Sequence, residues 1–316
     1  MNPRELVTRG GPLLGLVFVC AVFLFLVGPA FFRPGNLELI ARQTAIVCTA
    51  ALGMTMVIVA AGIDLSVGSI IALSTVVIAL VLRQDASPLL AALAGVGAAA
   101  ACGLANGLLI TRLRVVPFIV TLGTMLIVRG AAKGLADERR IEAPATWLNE
   151  LLRTAHGRGA FLPPGIWLLA VLALLVAALL RYTVFGRHLF AIGSNERTAR
   201  LCGVRVERTK VAVYALSAAL AGVAGVMQFA KLSVGDPTVA VGLELDVIAA
   251  VIIGGTSLFG GEGRAWGTLV GLVFIGVIVN GMTLLDVQAD MQYVVRGALI
   301  LVAVLINQTT LQRARG

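Results

Sequence analysis

Long apolar stretches recur along nearly the whole chain, and they constrain its fold more than any other feature. A helix that crosses the hydrocarbon core of a bilayer needs roughly 20 apolar residues. About ten stretches approach this length: residues 13–32, 44–62, 65–82, 88–111, 115–128, 165–180, 211–229, 245–259, 265–285 and 291–309. The pattern predicts an all-α, polytopic membrane protein with about ten transmembrane helices. The stretches 115–128 and 245–259 are short, so each is broken, re-entrant or longer than its apolar part.

Composition supports a membrane protein and excludes a nucleic-acid-binding one. The chain is 59% hydrophobic and only 13% charged, with a mean hydropathy of +0.98, whereas soluble domains carry about 25% charged residues. The 36 glycines suit transmembrane helices that pack closely. The net charge of +9 does not indicate nucleic acid, because the positive residues lie in loops beside the apolar stretches, where membrane topology accounts for them.

The distribution of lysine and arginine predicts the orientation. Loops rich in these residues stay in the cytoplasm. By this rule the inner face holds Arg4, Arg9, Arg112, Arg114, the segment 181–210, Arg313 and Arg315. An even number of spans with both termini cytoplasmic follows. We therefore expect one transmembrane domain over 1–316, with a cytoplasmic loop at 181–210 and an extracytoplasmic segment at 130–164 that carries a short surface helix near 147–154.

The cytoplasmic loop contains a short amphipathic helix at about 194–201. Ser194 or Asn195 is a suitable N-cap, Glu196 lies in the first turn, where an acid is favourable, and Gly203 is a suitable C-cap. A short capped helix at the inner face of a membrane bundle is suited to docking another protein.

The sequence shows no catalytic constellation and no metal site. The two histidines, His156 and His188, fall on opposite sides of the membrane in this topology, and no HExxH, GxSxG or metal-spaced Cys/His cluster is present. A phosphate-binding GxxxxGK[ST] loop is missing too. The chain is therefore not expected to be an enzyme or to bind a cofactor; if transport uses ATP, another chain hydrolyses it.

Several polar residues inside the apolar stretches are candidates for a substrate pathway. Asp64 is the strongest, since an acid beside two apolar spans is costly; it either caps the helix that follows or lines the pathway, and both roles are compatible. Ser66, Asn106, Asn280 and Gln228 are further candidates, because hydroxyl and amide groups suit a polyhydroxylated ligand. The alternative for the amides is hydrogen bonding between helices.

Charged residues near two helix ends have simpler explanations. Glu244 and Asp246 lie where a helix N-terminus favours acids. Arg296 is predicted to form a structural ion pair with Asp286 or Asp290.

Glycines interrupt two similar apolar segments. One runs from Val57 through Gly62 to Gly68, and the other from Val251 through Gly254 and Gly255 to Gly260. Such interrupted segments in two halves of a transporter indicate the substrate pathway, although coincidence explains the similarity equally well. The GxxxG patterns at 103–107 and 267–271 pack helices within one subunit or between two.

Three blocks of sequence together resemble a known family. They are 53–69 (GMTMVIVAAGIDLSVGS), 186–204 (GRHLFAIGSNERTARLCGV) and 244–268 (ELDVIAAVIIGGTSLFGGEGRAWGT). The chain resembles, over roughly 36–307, the membrane permease subunit of ribose-type monosaccharide ABC importers. The family often has Glu-Ala-Ala where this chain has Glu196-Arg197-Thr198, and residues 136–162 match it little.

The resemblance implies a set of partners and a mechanism. Such permeases work in pairs, as two copies or with a sister permease, in the lipid of the bacterial inner membrane. A cytoplasmic ATP-binding subunit, which holds ATP and Mg²⁺, docks inside, and a periplasmic sugar-binding protein docks outside. The coupling helix that fits into the ATPase corresponds to Gly193, Asn195, Glu196, Arg200, Leu201 and Gly203.

The expected function is import of a ribose-, pentose- or hexose-like sugar by alternating access driven by a separate ATPase. The alternative is an ion-coupled secondary carrier. That carrier would need intramembrane acids, and Asp64 is the candidate.

Overall fold

The computed structural model describes residues 3–154 and 162–315, and helices dominate both parts. The α-helices in these ranges are α1 Pro3–Val27, α2 Pro34–Val59, α3 Val67–Leu82, α4 Pro88–Leu113, α5 Pro117–Leu135, α6 Pro164–Tyr182, α7 Val184–Ser194, α8 Glu196–Leu201, α9 Val206–Leu232, α10 Leu243–Ile253, α11 Ala265–Leu284 and α12 Ala289–Arg315. Short 3-10 helices cover Gly28–Phe32 and Trp147–Leu152, and two strands, β1 Ile141–Glu142 and β2 Val234–Gly235, form one antiparallel pair. His156 lies outside the described residues.

Each apolar stretch of the sequence coincides with a helix, which confirms the polytopic helical fold. Seven segments within the described residues are long and apolar enough to cross a membrane: Gly11–Phe32, Pro34–Val59, Pro88–Leu113, Pro117–Leu135, Pro164–Tyr182, Val206–Leu232 and Ala265–Leu284. Four of them begin with a proline at the first helical position, where its fixed φ suits a helix and its missing N–H leaves nothing unpaired.

The two short stretches have different outcomes. α5 continues to Leu135 and has 19 residues, so it is longer than its apolar part and long enough to span. α10 ends at Ile253 after 11 residues. At 1.5 Å per residue it covers about 17 Å, roughly half of the hydrocarbon core.

Helices α2, α3, α4 and α9 form the centre of the bundle, and α2 is buried along most of its length. Gly103 and Gly107 of α4 lie very close to α9. A Cβ on Gly103 would be 2.3 Å from the Tyr214 carbonyl oxygen, and a Cβ on Gly107 would be 2.6 Å from the Val211 Cα. The second GxxxG pattern, at 267–271, packs α11 against α10. Both patterns therefore serve packing within one subunit.

The segment after α5 folds back onto the connection between α9 and α10. Ile141 and Glu142 pair with Gly235 and Val234, and Arg140 Nε lies 2.8 Å from Asp236 Oδ2. Burial alone would raise the pKa of Asp236, but hydrogen bonds from Thr238 and the nearby Arg140 lower it below its usual value. The predicted surface helix near 147–154 is confirmed as the 3-10 helix Trp147–Leu152.

The segment 181–210 contains more helix than the short one predicted at its centre: α6 extends to Tyr182, α7 and α8 fill most of the remainder, and α9 begins at Val206. The prediction for one charged residue of α12 is wrong. Arg296 does not pair with Asp286 or Asp290. Its Nη1 lies 3.3 Å from Asp246 Oδ2, because packing of α12 against α10 brings together residues that are distant in sequence.

Candidate functional site

The short helix α8 has capping hydrogen bonds at both ends. The Asn195 side chain accepts a hydrogen bond from the Thr198 N–H at 3.0 Å. At the other end, the N–H of Gly203 donates to the Arg200 carbonyl and that of Val204 to the Ala199 carbonyl, both at 3.0 Å. These two bonds form a Schellman motif, and Gly203 adopts the φ of +84° that the motif requires at this position. The predicted helix, its Asn195 cap and its C-terminal glycine are confirmed.

Ion pairs tie α8 to the first turns of α9. Glu196 accepts from Lys210 Nζ at 2.7 Å and faces Arg200 one turn along. Arg200 also pairs with Glu207, and this hydrogen bond, with the charges of both glutamates, raises the pKa of Arg200. On the inward face of α8, Ala199 packs in a buried apolar cluster with Ile192 and Val206. Leu201 is 88% exposed, so α8 is anchored on one face and presents an apolar side chain on the other.

Directly before α8, the chain makes a close contact with two other segments, which we call the inner junction (Val59, Ala61, Gly193, Gly260 and Gly261). A Cβ on Gly193 would lie 1.9 Å from the Val59 carbonyl oxygen and 2.4 Å from the Gly261 nitrogen. The Gly261 N–H donates to the same Val59 carbonyl at 2.9 Å, and Gly260 packs against Ala61. The end of α2, the turn after α10 and the end of α7 therefore meet backbone to backbone.

A buried polar network lies just beyond α2. Asp64 is fully buried, and its Oδ1 accepts from the Ser66 N–H at 2.9 Å and from Ser66 Oγ at 2.5 Å. Asn106 Nδ2 donates to Ser66 Oγ at 3.0 Å. Among the described residues, Asp64 Oδ2 and Asn106 Oδ1 have no hydrogen-bond partner. The structure thus joins three of the predicted pathway candidates and leaves two buried oxygens open.

Asp64 does not occupy the N-cap position that one interpretation gave it. α3 begins at Val67, so Ser66 is the N-cap residue, and its side chain makes no capping hydrogen bond. Asp64 instead accepts from the N–H two residues further on, an Asx-type turn that precedes the helix. The turn holds the carboxylate inside the protein rather than at the helix terminus.

The other two pathway candidates lie elsewhere. Asn280 forms a reciprocal pair of amide hydrogen bonds with Asn36, each 3.0 Å long. Asn36 is at the start of α2 and Asp64 follows its end, so α2 separates the two sites by about 35 Å. Gln228 lies half-buried near the end of α9. Sequence reasoning missed Asn36. It follows Pro34 and Gly35 at the start of a helix, and nothing in that local sequence indicates a partner 244 positions away.

The remaining predicted glycines occupy close contacts or turns. A Cβ on Gly62 would meet Tyr214 Oη at 2.5 Å, one on Gly68 the Ala240 carbonyl at 2.3 Å, and one on Gly254 the Gly267 carbonyl carbon at 2.3 Å. Gly255 has a φ of +87°. Gly68 therefore connects α3, which follows the Asp64 turn, to the connection between α9 and α10.

Comparison with known proteins agrees with this architecture. A family model described as "Branched-chain amino acid transport system / permease component" matches residues 36–304. The Bacillus subtilis (strain 168) protein "Ribose import permease protein RbsC" is 42% identical over 300 residues, which cover 94% of this chain and 92% of the relative. The Escherichia coli (strain K12) protein of the same name is 38% identical over 296 residues, covering 93% and 92%.

A third relative is named for a different sugar. The "Fructose import permease protein FrcC" of Rhizobium meliloti is 34% identical over 303 residues, which cover 94% of this chain and 84% of that protein. No solved structure matches the chain. The matched proteins are transport subunits rather than enzymes. With its long apolar helices, the chain is a multi-pass protein of the inner membrane, and it belongs to this family of ABC-transporter permease components.

Proposed function

We propose that the chain is the permease subunit of a binding-protein-dependent ABC importer for a monosaccharide. The observation that carries this proposal is the similarity, over more than nine-tenths of both chains, to proteins named as ribose import permeases. Other relatives are named for L-arabinose and fructose. The family description refers to branched-chain amino acids, but the three sugars make a neutral polyhydroxylated substrate the better assignment.

The geometry of α8 supports the proposed coupling role. A helix that transmits force from a partner must be anchored to its own subunit on one face and accessible to the partner on the other. In α8, Ala199 is buried while Leu201 is 88% exposed. The partner is a cytoplasmic ATP-binding subunit that binds ATP and Mg²⁺ itself. Gly193, Asn195, Glu196, Arg200 and Gly203 then position the helix, and Leu201 contacts the ATPase.

The proposed topology has ten transmembrane segments and cytoplasmic termini. Support comes from the seven long apolar helices together with α3, α10 and α12, which add three more crossings or partial crossings. In this arrangement 1–316 is one transmembrane domain, 181–210 is the inner coupling region, and 130–164 is the outer segment that faces a periplasmic sugar-binding protein. A second permease copy or a sister permease completes the membrane part.

The Asp64 network is the proposed inner part of the sugar pathway. Asp64 Oδ2 and Asn106 Oδ1 are buried acceptors without partners among the described residues, and sugar hydroxyls are donors that would satisfy them. The same buried carboxylate is the observation that favours the alternative, an ion-coupled secondary carrier.

Co-purification of the tagged, full-length chain distinguishes the two functions. We expect a cytoplasmic ATPase to be recovered with it, and Leu201→Glu to abolish that recovery without loss of membrane insertion, because the side chain is already exposed. Leu113→Glu is the matched control, since Leu113 is 63% exposed at the end of α4 and the variant adds the same charge outside α8. A chain that purifies alone and moves solute in ATP-free liposomes under an ion gradient would refute the importer and support the carrier.

A further inference from the structure

A wide groove lies beside the C-terminal end of α6, which is the cytoplasmic end in the proposed topology. Its volume is about 1030 Å³, and residues from α6, α7 and the start of α11 line it. We call it the basic groove and define it by Arg181, Tyr182, Arg187, Arg264, Trp266 and Leu174.

Three positive charges without acidic partners lie at one end of the basic groove. Arg181, Arg187 and Arg264 are all exposed, and none of the described residues that line the groove is acidic. Arg181 stacks over the Tyr182 ring at 5.5 Å, and within the described part of the chain no ion pair to Arg187 or Arg264 is formed. Uncompensated guanidinium groups around one cavity attract an anion, and their forked donors match a phosphate.

The opposite end of the groove is apolar and, in the proposed topology, lies deeper in the membrane. Leu174 is seven residues before Arg181 on α6, which separates them by about 10 Å along the helix axis. Leu174 is 58% exposed, and Ala177 and Ala178 continue the apolar wall. Trp266 and Tyr182 are also exposed at the charged end, at the level where such amphipathic rings favour the membrane interface.

We propose that the basic groove binds an anionic phospholipid of the cytoplasmic leaflet. The phosphate lies among the three arginines, and an acyl chain lies along Leu174 and Ala178. A free phosphate would use the arginines but not the apolar wall, and a soluble partner would not reach into the hydrocarbon layer. The combination of a charged end and an apolar end about 10 Å apart therefore favours a lipid. This inference depends on the membrane location of α6 and not on the transported substrate.

Native mass spectrometry of the full-length chain in detergent micelles tests the proposal. The probes are phosphatidylglycerol, phosphatidylcholine and inorganic phosphate. We expect phosphatidylglycerol to bind with at least tenfold preference over phosphatidylcholine, and millimolar phosphate not to displace it. The triple variant Arg181→Gln, Arg187→Gln, Arg264→Gln is expected to lose about 100-fold in affinity, since each basic residue near an anionic lipid surface contributes about fivefold. A matched triple variant, Arg112→Gln, Arg114→Gln, Arg208→Gln, removes the same charge elsewhere and is expected to bind as wild type.

A second variant separates a lipid from a free anion without altering charge. Ala178→Trp fills the exposed apolar part of the groove and is expected to reduce phosphatidylglycerol binding while the arginines remain. Equal binding of the two lipids, equal loss in both triple variants, or full displacement by inorganic phosphate would each overturn the proposal. Unchanged binding by Ala178→Trp would show a simple anion site and overturn it as well.

Discussion

The inner junction makes a sharp prediction for Gly193→Ala. The new Cβ would lie 1.9 Å from the Val59 carbonyl oxygen and 2.4 Å from the Gly261 nitrogen. Both neighbours are backbone atoms, so no side-chain rotation relieves the overlap, and the segments must separate by roughly 1.5 Å to reach a normal contact. That separation also stretches the 2.9 Å hydrogen bond from Gly261 to Val59.

The expected magnitude follows from three contributions. Overpacking of a close contact costs about 1–3 kcal/mol, and a weakened backbone hydrogen bond costs about 0.5–1.5 kcal/mol. The higher helix propensity of alanine relative to glycine stabilises α7 by up to about 1 kcal/mol. The sum is a net loss of roughly 0.5–4.5 kcal/mol, with α7 and α8 displaced from the end of α2.

Thermal unfolding of the purified chain in detergent and sugar uptake in cells measure the two consequences. We expect Gly193→Ala to lower Tm by several degrees and to reduce uptake. The control is Gly97→Ala in the interior of α4, where no atom lies within 4 Å of the new Cβ, so that only the helix-propensity gain remains. Equal Tm values for the two variants would show that the close contact does not exist, and normal uptake by Gly193→Ala would remove the junction from the coupling mechanism.

Three further predictions concern the other polar contacts. Asn195→Ala removes the cap of α8 and should cost about 1 kcal/mol of local stability, whereas Asn195→Asp keeps the acceptor; ATPase recovery should fall only for the alanine variant. Asn280→Ala leaves the amide of Asn36 without its partner and should cost about 1–3 kcal/mol in thermal unfolding, and Asn36→Leu combined with Asn280→Leu should recover part of that loss. Asp236→Asn should loosen the 140–142 segment, measured as faster hydrogen exchange there. Because the folded-state pKa of Asp236 is lowered, its contribution is complete above about pH 4 and lost only as pH falls through the folded pKa, so the wild-type advantage should be constant from roughly pH 5 to 8.

The sequence predicts the helices well because a bilayer leaves the backbone few alternatives. Its failures occur where charged residues lie in helices. α5 extends beyond its apolar part because Arg129, which interrupts that pattern, donates to the carbonyls of Pro237 and Val239 at 2.9 and 2.7 Å. A hydropathy pattern cannot anticipate acceptors that come from another part of the chain. The strand pair, at two residues each, is too short to give an alternating pattern.

Contacts within the candidate site were predictable only where they are local. The caps of α8 involve residues within five positions of one another, and sequence rules for helix termini apply to them directly. The pair of Asn36 with Asn280 spans 244 positions, and the pairing of Arg296 with Asp246 spans 50. The similarity of the two glycine-interrupted segments, which coincidence explains equally well, did not reveal that Gly260 packs against Ala61.

Under the proposed coupling role of α8, the inner junction is the route by which force on that helix would reach the buried network. The exposed ion pairs around Arg200 are weak carriers, because water and salt compete with them and long side chains rotate. The contact of Gly193 with Val59 and Gly261 has no side chain to rotate, so a displacement of α7 must move the end of α2 or break the contact. Asp64 follows Val59 by only five residues, in a turn held by Ser66. A shift of the α2 terminus therefore changes the position of the Asp64 carboxylate relative to Asn106, and glycine at position 193 is what allows the three backbones to approach closely enough for that transmission.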